Sequence, residues 1–403
     1  MKPGKFLLLI YISLTLMIVP GCWSRRELNS LSISQAIAVD LEPDGKIVLT
    51  FLFVKPDSGQ KQMGGGSGSG MSYVLVSEKG ETLFDTQRDI YLSLPRKLFM
   101  GQNSLVIYSE QAARAGLGPL MDLFFRHKDF RLTNYVFVTR GKASDMLKFQ
   151  PNLESNPVRE IFGAITYAHM RVSKTIPKDI KDFLIDLGAP GIEPVLPEIE
   201  LVPKLAGEEL PQSGSSGGGG PSQKTKLRLA GMAVFKEDKF VDWLSPDETR
   251  ALHFAVAMGH LGIEIIPGPS DKKLAVEIIG GTSKIKPIVK NGRLFIRIES
   301  TSAANIGETM GVKGIDNPDL INELNKETEN VIRERIEKLV KKAQKEYRSD
   351  FMGFGSAIWR EMPQYWKEIE NEWDELFTEI PVEVVVKVDI KGIGMASDYS
   401  NER

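Results

Sequence analysis

Apolar and polar positions along the chain switch repeatedly between two periods. Ile37, Val39 and Leu41 alternate with small or polar residues, and Ile47, Leu49, Phe51 and Phe53 repeat the alternation beyond the segment Glu42-Pro43-Asp44-Gly45. Period-two patterning on both sides of a Pro-Asp-Gly turn predicts a β-hairpin. "YVLVSE" at 73–78 predicts a further strand. Leu83, Ile90 and Leu94 then recur at helical spacing. "SLVIYSE" and "LTNYVFVTRG" predict strands with the helical "LGPLMDLFFRHK" between them, the pattern of a parallel crossover. "ASDMLKF" predicts a short helix capped by Ser144 or a neighbour, and 155–187 reads as helical with an interruption at Pro177.

The second half opens with "LRLAGMAVFKEDKFVDWLS", two short strands around a Lys-Glu-Asp-Lys turn. "SPDETRALHFAVAM" carries a helix start: Ser245 as N-cap, Pro246 in the first turn and Glu248 three residues on. "KLAVEIIG", "KIKPIVK" and "RLFIRIES" predict three strands. Asn291-Gly292 is a hairpin turn, and Pro287 places its strand at an edge. A long amphipathic helix is predicted over 318–348, with Leu320, Leu324, Val331, Ile332, Leu339, Ala343 and Tyr347 as its buried stripe. Glu329–Arg333, Glu334–Lys338 and Glu337–Lys341 are i,i+4 pairs for its wet face, each worth only a few tenths of a kcal/mol. A Gly-rich break follows, then the helical "QYWKEIENEWDELFTEI". In the closing strand Val382, Val384, Val386, Val388 and Ile390 face one way. The fold class is α+β and multidomain: mixed or antiparallel sheets with packed helices, and the long amphipathic helix in the C-terminal domain.

Length and punctuation set the expected domains. Some 380 residues beyond the N-terminal leader exceed one ordinary core. The Gly/Ser stretch at 58–72 reads as a loop within a domain. The stretch at 211–225, preceded by a Pro-rich passage, reads as a linker. The division is 1–21 a lipoprotein signal peptide, 22–200 an N-terminal α+β domain of one or two subdomains, 201–225 a Pro/Gly/Ser-rich linker, and 226–398 a C-terminal α+β domain.

The N-terminus changes this picture most. Lys2 and Lys5 precede an uncharged run of 14 residues, Phe6 to Val19, too short for a bilayer-spanning helix of about 20 residues. Then comes Gly21 and the chain's single cysteine, Cys22. A Val-x-Gly-Cys ending resembles a bacterial lipobox, in which a diacylglyceryl group is attached to the sulfur and the peptide is cut before the cysteine. Two other readings stay open: an uncleaved anchor, and an ordinary signal peptide cut nearby. Two acyl chains on one residue anchor stably where one does not. A lone cysteine excludes a disulfide within the monomer.

Candidate chemistry is sparse. The net charge of −2, with charges well mixed, points away from nucleic acid. Of the four histidines, His127, His169, His253 and His260, the last two share a helical face at a spacing of seven, which does not suit a metal pair. No Gly-x-Ser-x-Gly, HExxH or Walker-type loop occurs, and no cofactor or metal is expected. Glu370, Glu372, Asp374 and Glu375 around Trp373 allow a glycosidase pair on paper. An acidic solvated face with Trp373 packed inward is the simpler reading. Lys338, Lys341, Lys342 and Lys345 form a basic cluster, read as an ordinary charged face, with anionic lipid as the alternative.

The stretch "GCWSRRELNSLSISQAIAVD" closely resembles the mature N-terminus of the Ger(x)C family, the C subunits of bacterial spore germinant receptors. Cys22, Trp23, Arg26, Glu27, Leu28, Asn29 and Asp40 match. "LPRKLFMGQNSLVIYSEQAARAGLGPLMDLFFRHKDFRLTNYVFVTRGKASDML", "LAGMAVFKEDKFVDWLSPDETRAL" and "VEVVVKVDIKGIG" resemble later blocks in the same order. The resemblance implies a non-enzymatic subunit in the spore inner membrane, lipid-anchored at Cys22 on the outer face. Its partners would be the receptor's A and B subunits, and its role would be assembly or signal relay in nutrient-triggered germination. Trp23, Arg26, Glu27 and Leu28 are candidate partner contacts; equally, they begin the first strand. The competing class is a lipid-anchored solute-binding protein of a transporter, which would show two lobes of repeated βα units. The long charged helix and the hairpins of the second half argue against it.

Overall fold

A computed structural model of the chain describes residues 30–55, 72–151, 153–205, 225–256 and 261–393, together with 3, 4, 11 and 27. Nine strands form the first sheet: β1 (Leu31–Leu41), β2 (Ile47–Val54), β3 (Tyr73–Gly80), β4 (Lys97–Phe99), β5 (Leu105–Ser109), β6 (Tyr135–Thr139), β7 (Val195–Pro203), β8 (Thr225–Lys236) and β9 (Lys239–Leu244). Their order is β3-β2-β1-β5-β6-β7-β8-β9, with β4 beside the start of β1. The central strands β1, β5, β6 and β7 are parallel, and antiparallel hairpins extend the sheet on both flanks. The second sheet is β10 (Gly262–Pro267), β11 (Lys273–Lys290), β12 (Arg293–Glu308) and β13 (Val382–Gly392), in that order. The α+β class and the crossover between β5 and β6 are as the sequence pattern predicts.

The alternation in β1 and β2 sorts side chains to the two faces of the first sheet. Ile37, Val39, Phe51 and Phe53 enter a core with Tyr108, Met121 and Phe124. Ala36, Ala38 and Leu52 enter the opposite core with Phe137, Ile161 and Ile165. A third core fills the space between the second sheet and the long helix Pro318–Lys342, and it also takes Val195, Met232, Val234 and Leu244 from the first sheet. Strands β8 and β9, on the far side of the Gly/Ser stretch, therefore complete the first sheet. β7 and β8 pair over nine residues from Val195↔Val234 to Pro203↔Thr225.

Four local expectations are refined. The helix Ala143–Lys148 is capped by neither Ser144 nor Lys142 but by Asp40 from the end of β1. Its carboxylate accepts the N–H of Ala143 at 2.6 Å and of Ser144 at 3.1 Å while 3 % exposed. These are two of the donors that a helix N-terminus leaves unpaired. Second, "KLAVEIIG" and "KIKPIVK" are one 18-residue strand, β11, bent by register shifts around Ile278 and Gly280. β10 pairs only with Lys273–Ile278, so Pro287 does sit on a locally open edge. Ile296, opposite it, sends its N–H to Pro381 O at 2.9 Å, so the missing proline donor costs no ladder bond. Asn291 (φ 53°) and Gly292 (φ 74°) close the β11–β12 hairpin in the left-handed region, as that turn requires.

Third, Glu329 does not spend its carboxylate on Arg333. Glu329 Oε1 accepts the N–H of Val388 at 3.0 Å, and Asn325 Oδ1 accepts that of Ile390 at 2.9 Å. The long helix thus satisfies two outward donors of β13, an edge strand parallel to β12. Fourth, the segment after the Gly-rich break is two short helices, Pro363–Ile369 and Trp373–Glu379. Ser245 and Glu248 form the expected reciprocal cap, at 2.8 and 3.2 Å.

Removal of the Asp40 carboxylate strands two buried N–H groups, so Asp40→Ala is expected to destabilise the chain by about 2 kcal/mol. The shift of the urea midpoint at constant slope measures this. A change below about 0.5 kcal/mol would show that the cap carries no weight.

Candidate functional site at the junction of the two halves

The chain leaves the long helix through a wide turn, Ala343–Tyr347, and reverses at Arg348 in the left-handed conformation. The residues around this turn then touch the first half at several points. Tyr347 donates its hydroxyl to Trp243 O at 3.0 Å, Ser349 Oγ donates to Phe235 O at 2.6 Å, and Asp350 O accepts from Glu193 N at 3.0 Å. Ser356 N donates to Gly191 O at 2.8 Å. Here two glycine-containing stretches, "GAPGIEP" and "MGFGS", touch backbone to backbone. A Cβ on Gly191 (φ 64°) would lie 2.5 Å from the Gly355 backbone, and one on Gly355 would lie 2.7 Å from Gly191 Cα. Only glycine fits either position.

Asp350 sits under this contact. Its carboxylate accepts the N–H of Phe354 at 2.9 Å and of Gly355 at 2.8 Å, capping the helix Phe354–Glu361. It is 3 % exposed, and burial pushes its pKa up to about 7 against the pull of those backbone donors. The Trp373 indole N–H adds to that pull from a position beside the carboxyl that falls outside hydrogen-bond geometry.

A cleft of about 570 Å³ opens beside Asp350. Trp366, Trp373 and Phe377 form its aromatic wall. Lys236 bridges Glu193, at 3.0 Å, and Asp374 across it, so it ties the first half to the last helix. Burial raises the Glu193 carboxyl, with Lys236 opposing. Asp238 Oδ2 accepts from Gly118 N at 3.0 Å. Trp373 packs inward and Asp374 is held by Lys236, so the acidic helix behaves as a structural face, as its simpler reading has it.

A second buried constellation lies on the other side of the junction. Glu264 on β10 is fully buried between two arginines. Arg250 Nη1 is 3.2 Å from Oε1, and Arg335 Nε from the long helix is 3.2 Å from Oε2. Burial still holds the Glu264 carboxyl above its ordinary range, with both guanidiniums opposing. Arg250 also donates to Ile263 O at 2.6 Å and to Val172 O at 3.4 Å, at the end of the helix Pro157–Val172. One side chain therefore joins β10 of the second sheet to the end of that helix. His253 packs against His169 with ring centroids 5.4 Å apart, and its Nε2 faces Thr175 O at 3.3 Å. Between the two constellations lies a wider groove of about 840 Å³, bounded by Val195, Leu252, Ile285, Phe351 and Met352.

Of the residues singled out in the sequence, Cys22, Trp23, Arg26 and Leu28 lie outside the described residues, as does His260. Glu27 is exposed, and its carbonyl accepts from Ser30 N at 3.0 Å and Ser30 Oγ at 2.7 Å. Within the basic cluster, Lys342 is partly buried. It pairs with Glu248 at 2.7 Å and lies 4.9 Å from the Tyr347 ring centre. Among the described residues no group of three or more His, Cys, Asp or Glu is placed to hold a metal, and no helix is long and apolar enough to cross a membrane. Asp350, Glu264, Arg250 and Arg335 were not legible as a set. An isolated Glu at an inward position of "GIEIIP" is the one signal available.

Two family models cover most of the chain. The spore germination protein N-terminal domain matches residues 24–201, and the spore germination B3/GerAC-like C-terminal domain matches 230–394. The chain belongs to the Ger(x)C family. Among relatives of this Ger(x)C protein, spore germination protein KC of Bacillus subtilis is 25% identical over 98% of this chain and 97% of its own length. Spore germination protein B3 of the same organism is 24% identical over 97% and 98%. The crystal structure of the GerBC protein has the same fold, with TM-score 0.55 and 19% identity over 88% of this chain and 96% of that one. The solute-binding reading finds no support among these relatives.

Two outcomes follow for the junction. Glu264→Ala leaves two guanidiniums facing an apolar void and is expected to cost about 3–5 kcal/mol in denaturant unfolding. Asp350 is a carboxyl raised in the folded state. Its contribution is complete below the ordinary value near 3.8 and is lost as pH rises through about 7. Stability should therefore fall by a few kcal/mol, order of magnitude, between pH 4 and 7. Asp350→Asn should flatten that slope, although its amide N–H₂ meets a backbone donor and lowers stability throughout. An unchanged slope in the variant would reassign the effect to other carboxyls.

Proposed function

We propose that this protein is the C subunit of a spore germinant receptor, acting in nutrient-triggered germination as a non-enzymatic assembly or relay component. Full-length similarity to spore germination proteins carries the reading. The buried carboxylates support it: Asp350 caps a helix and Glu264 holds two arginines, so both serve the fold rather than a reaction. The junction suits a relay, because discrete polar ties and open clefts flank the core that the two halves share.

In this reading Cys22 carries a thioether-linked diacylglyceryl group after cleavage of residues 1–21, and the body sits on the outer face of the spore inner membrane. It assembles there with the A and B subunits, with Trp23, Arg26, Glu27 and Leu28 close to the bilayer, where an aromatic favours the interface. The Gly/Ser stretch is an excursion between paired strands β7 and β8 rather than a boundary between domains, and no cofactor, metal or nucleic acid takes part in this reading.

Replacement of Cys22 tests the anchor in the native sporeformer. Cys22→Ala should release the chain from the inner-membrane fraction and reduce nutrient germination to the level of the deletion strain. A variant still membrane-held, with the same mobility and full germination, rejects the anchor. A thermal-shift screen with amino acids, sugars and nucleosides tests the relay role, since a nutrient-binding subunit would gain stability by mass action.

A further inference from the structure

The end of the first sheet where the parallel strands begin carries a basic cleft of about 470 Å³. Arg88, Lys97, Lys128 and Arg131 line it, against a single lining carboxylate, Asp129. Asp129 lies 3.7 Å from His127 Nδ1. The four cations are exposed, and no ion pair among the described residues engages them. Arg88 stacks 5.0 Å from the centre of the Phe84 ring. Large apolar side chains stand out around the same cleft: Leu92 is 85% exposed, Phe84 48% and Tyr91 39%. Cations interleaved with exposed aromatic and aliphatic side chains are the composition of a surface that settles into a headgroup layer.

Position separates this patch from an ordinary solvated charged face. Lys97, Leu98 and Phe99 pair with Leu31, Ser32 and Ile33, the first residues of β1. Leu31 is nine residues from Cys22. Nine fully extended residues span at most about 30 Å, and any slack shortens that distance. Resting on the lipid anchor proposed above, the tether brings this end of the body to the bilayer surface. We propose that the cleft of Arg88, Lys97, Lys128 and Arg131 is a docking surface for anionic phospholipid headgroups, with Leu92 and Tyr91 entering the interface beside it. One lipid-linked residue confines the body but leaves it free to swivel. The second contact fixes its orientation, so that the junction and its clefts face the partner subunits at a set angle.

The full lipidated chain allows a direct test, because its single native thiol is consumed by the anchor. Leu92→Cys then offers one site for an environment-sensitive fluorophore, and Met310→Cys, 60% exposed on the second half, serves as the control. The protein is reconstituted in phosphatidylcholine vesicles with and without phosphatidylglycerol. The expected result is a blue shift and a several-fold rise in emission at position 92 only with phosphatidylglycerol, reversed by salt. The change should also be abolished by Arg88→Glu with Lys128→Glu and Arg131→Glu, while position 310 does not respond. Equal emission in both vesicles, an equal response at position 310, or a response that appears only when the A and B subunits are added would overturn the proposal. Flotation with neutral vesicles reports the anchor separately. A chain that fails to float rejects the anchor, and Leu92→Cys labelled in a Cys22→Ser background then decides the docking surface by its emission on addition of phosphatidylglycerol vesicles.

Discussion

Two glycines set the geometry on which the rest depends. Gly191 and Gly355 bring the backbones of the two halves so close that a single methyl group would force them apart. That approach lets Ser356 N reach Gly191 O and puts Asp350 where it caps its helix and accepts Glu193 N through its carbonyl. The third hydrophobic core crosses the same boundary, with Met232 and Leu244 from one sheet packed among residues of the other. Dispersion contacts of this kind depend steeply on separation, so the glycine contact and the shared core reinforce each other.

Charge is used at this boundary in a way that follows from its cost. Glu264 is fully buried and faces two guanidiniums, and Arg250 spends its other donors on carbonyls of both halves. A buried pair of this kind adds little net stability over an apolar alternative, but a misaligned arrangement leaves a charge unpaired. The constellation therefore favours one relative placement of β10, the long helix and the helix Pro157–Val172. Lys236, between Glu193 and Asp374, does the same at the opposite side with more solvent access.

The end of the first sheet where the parallel strands begin follows another logic. There β4 pairs with the first residues of β1, and exposed cations stand beside protruding apolar side chains. Fold and surface chemistry thus converge on one end of that sheet. The junction lies toward β8 and β9, at the far flank of the same sheet.

Periodicity by itself determined the type and order of most of the longer elements, because alternation at two and recurrence near 3.6 report directly which side chains leave water; β4, β7 and β10 were not read from it, and β7 runs into the stretch read as linker. Ile37, Val39, Phe51 and Phe53 declare the first hairpin, and Ser245 with Glu248 declares a helix start, since both partners of each signal lie within a few residues. The Val-x-Gly-Cys pattern ending at Cys22 is likewise a local signal. Long-range pairing was decided only in three dimensions. Asp40 caps a helix 103 residues away, Glu329 serves a strand 59 residues on, and β8 and β9 join the sheet of the half before the Gly/Ser stretch. Hydrogen-bond donors accept any carboxylate that geometry brings within reach, and a linear pattern carries no record of which one that is.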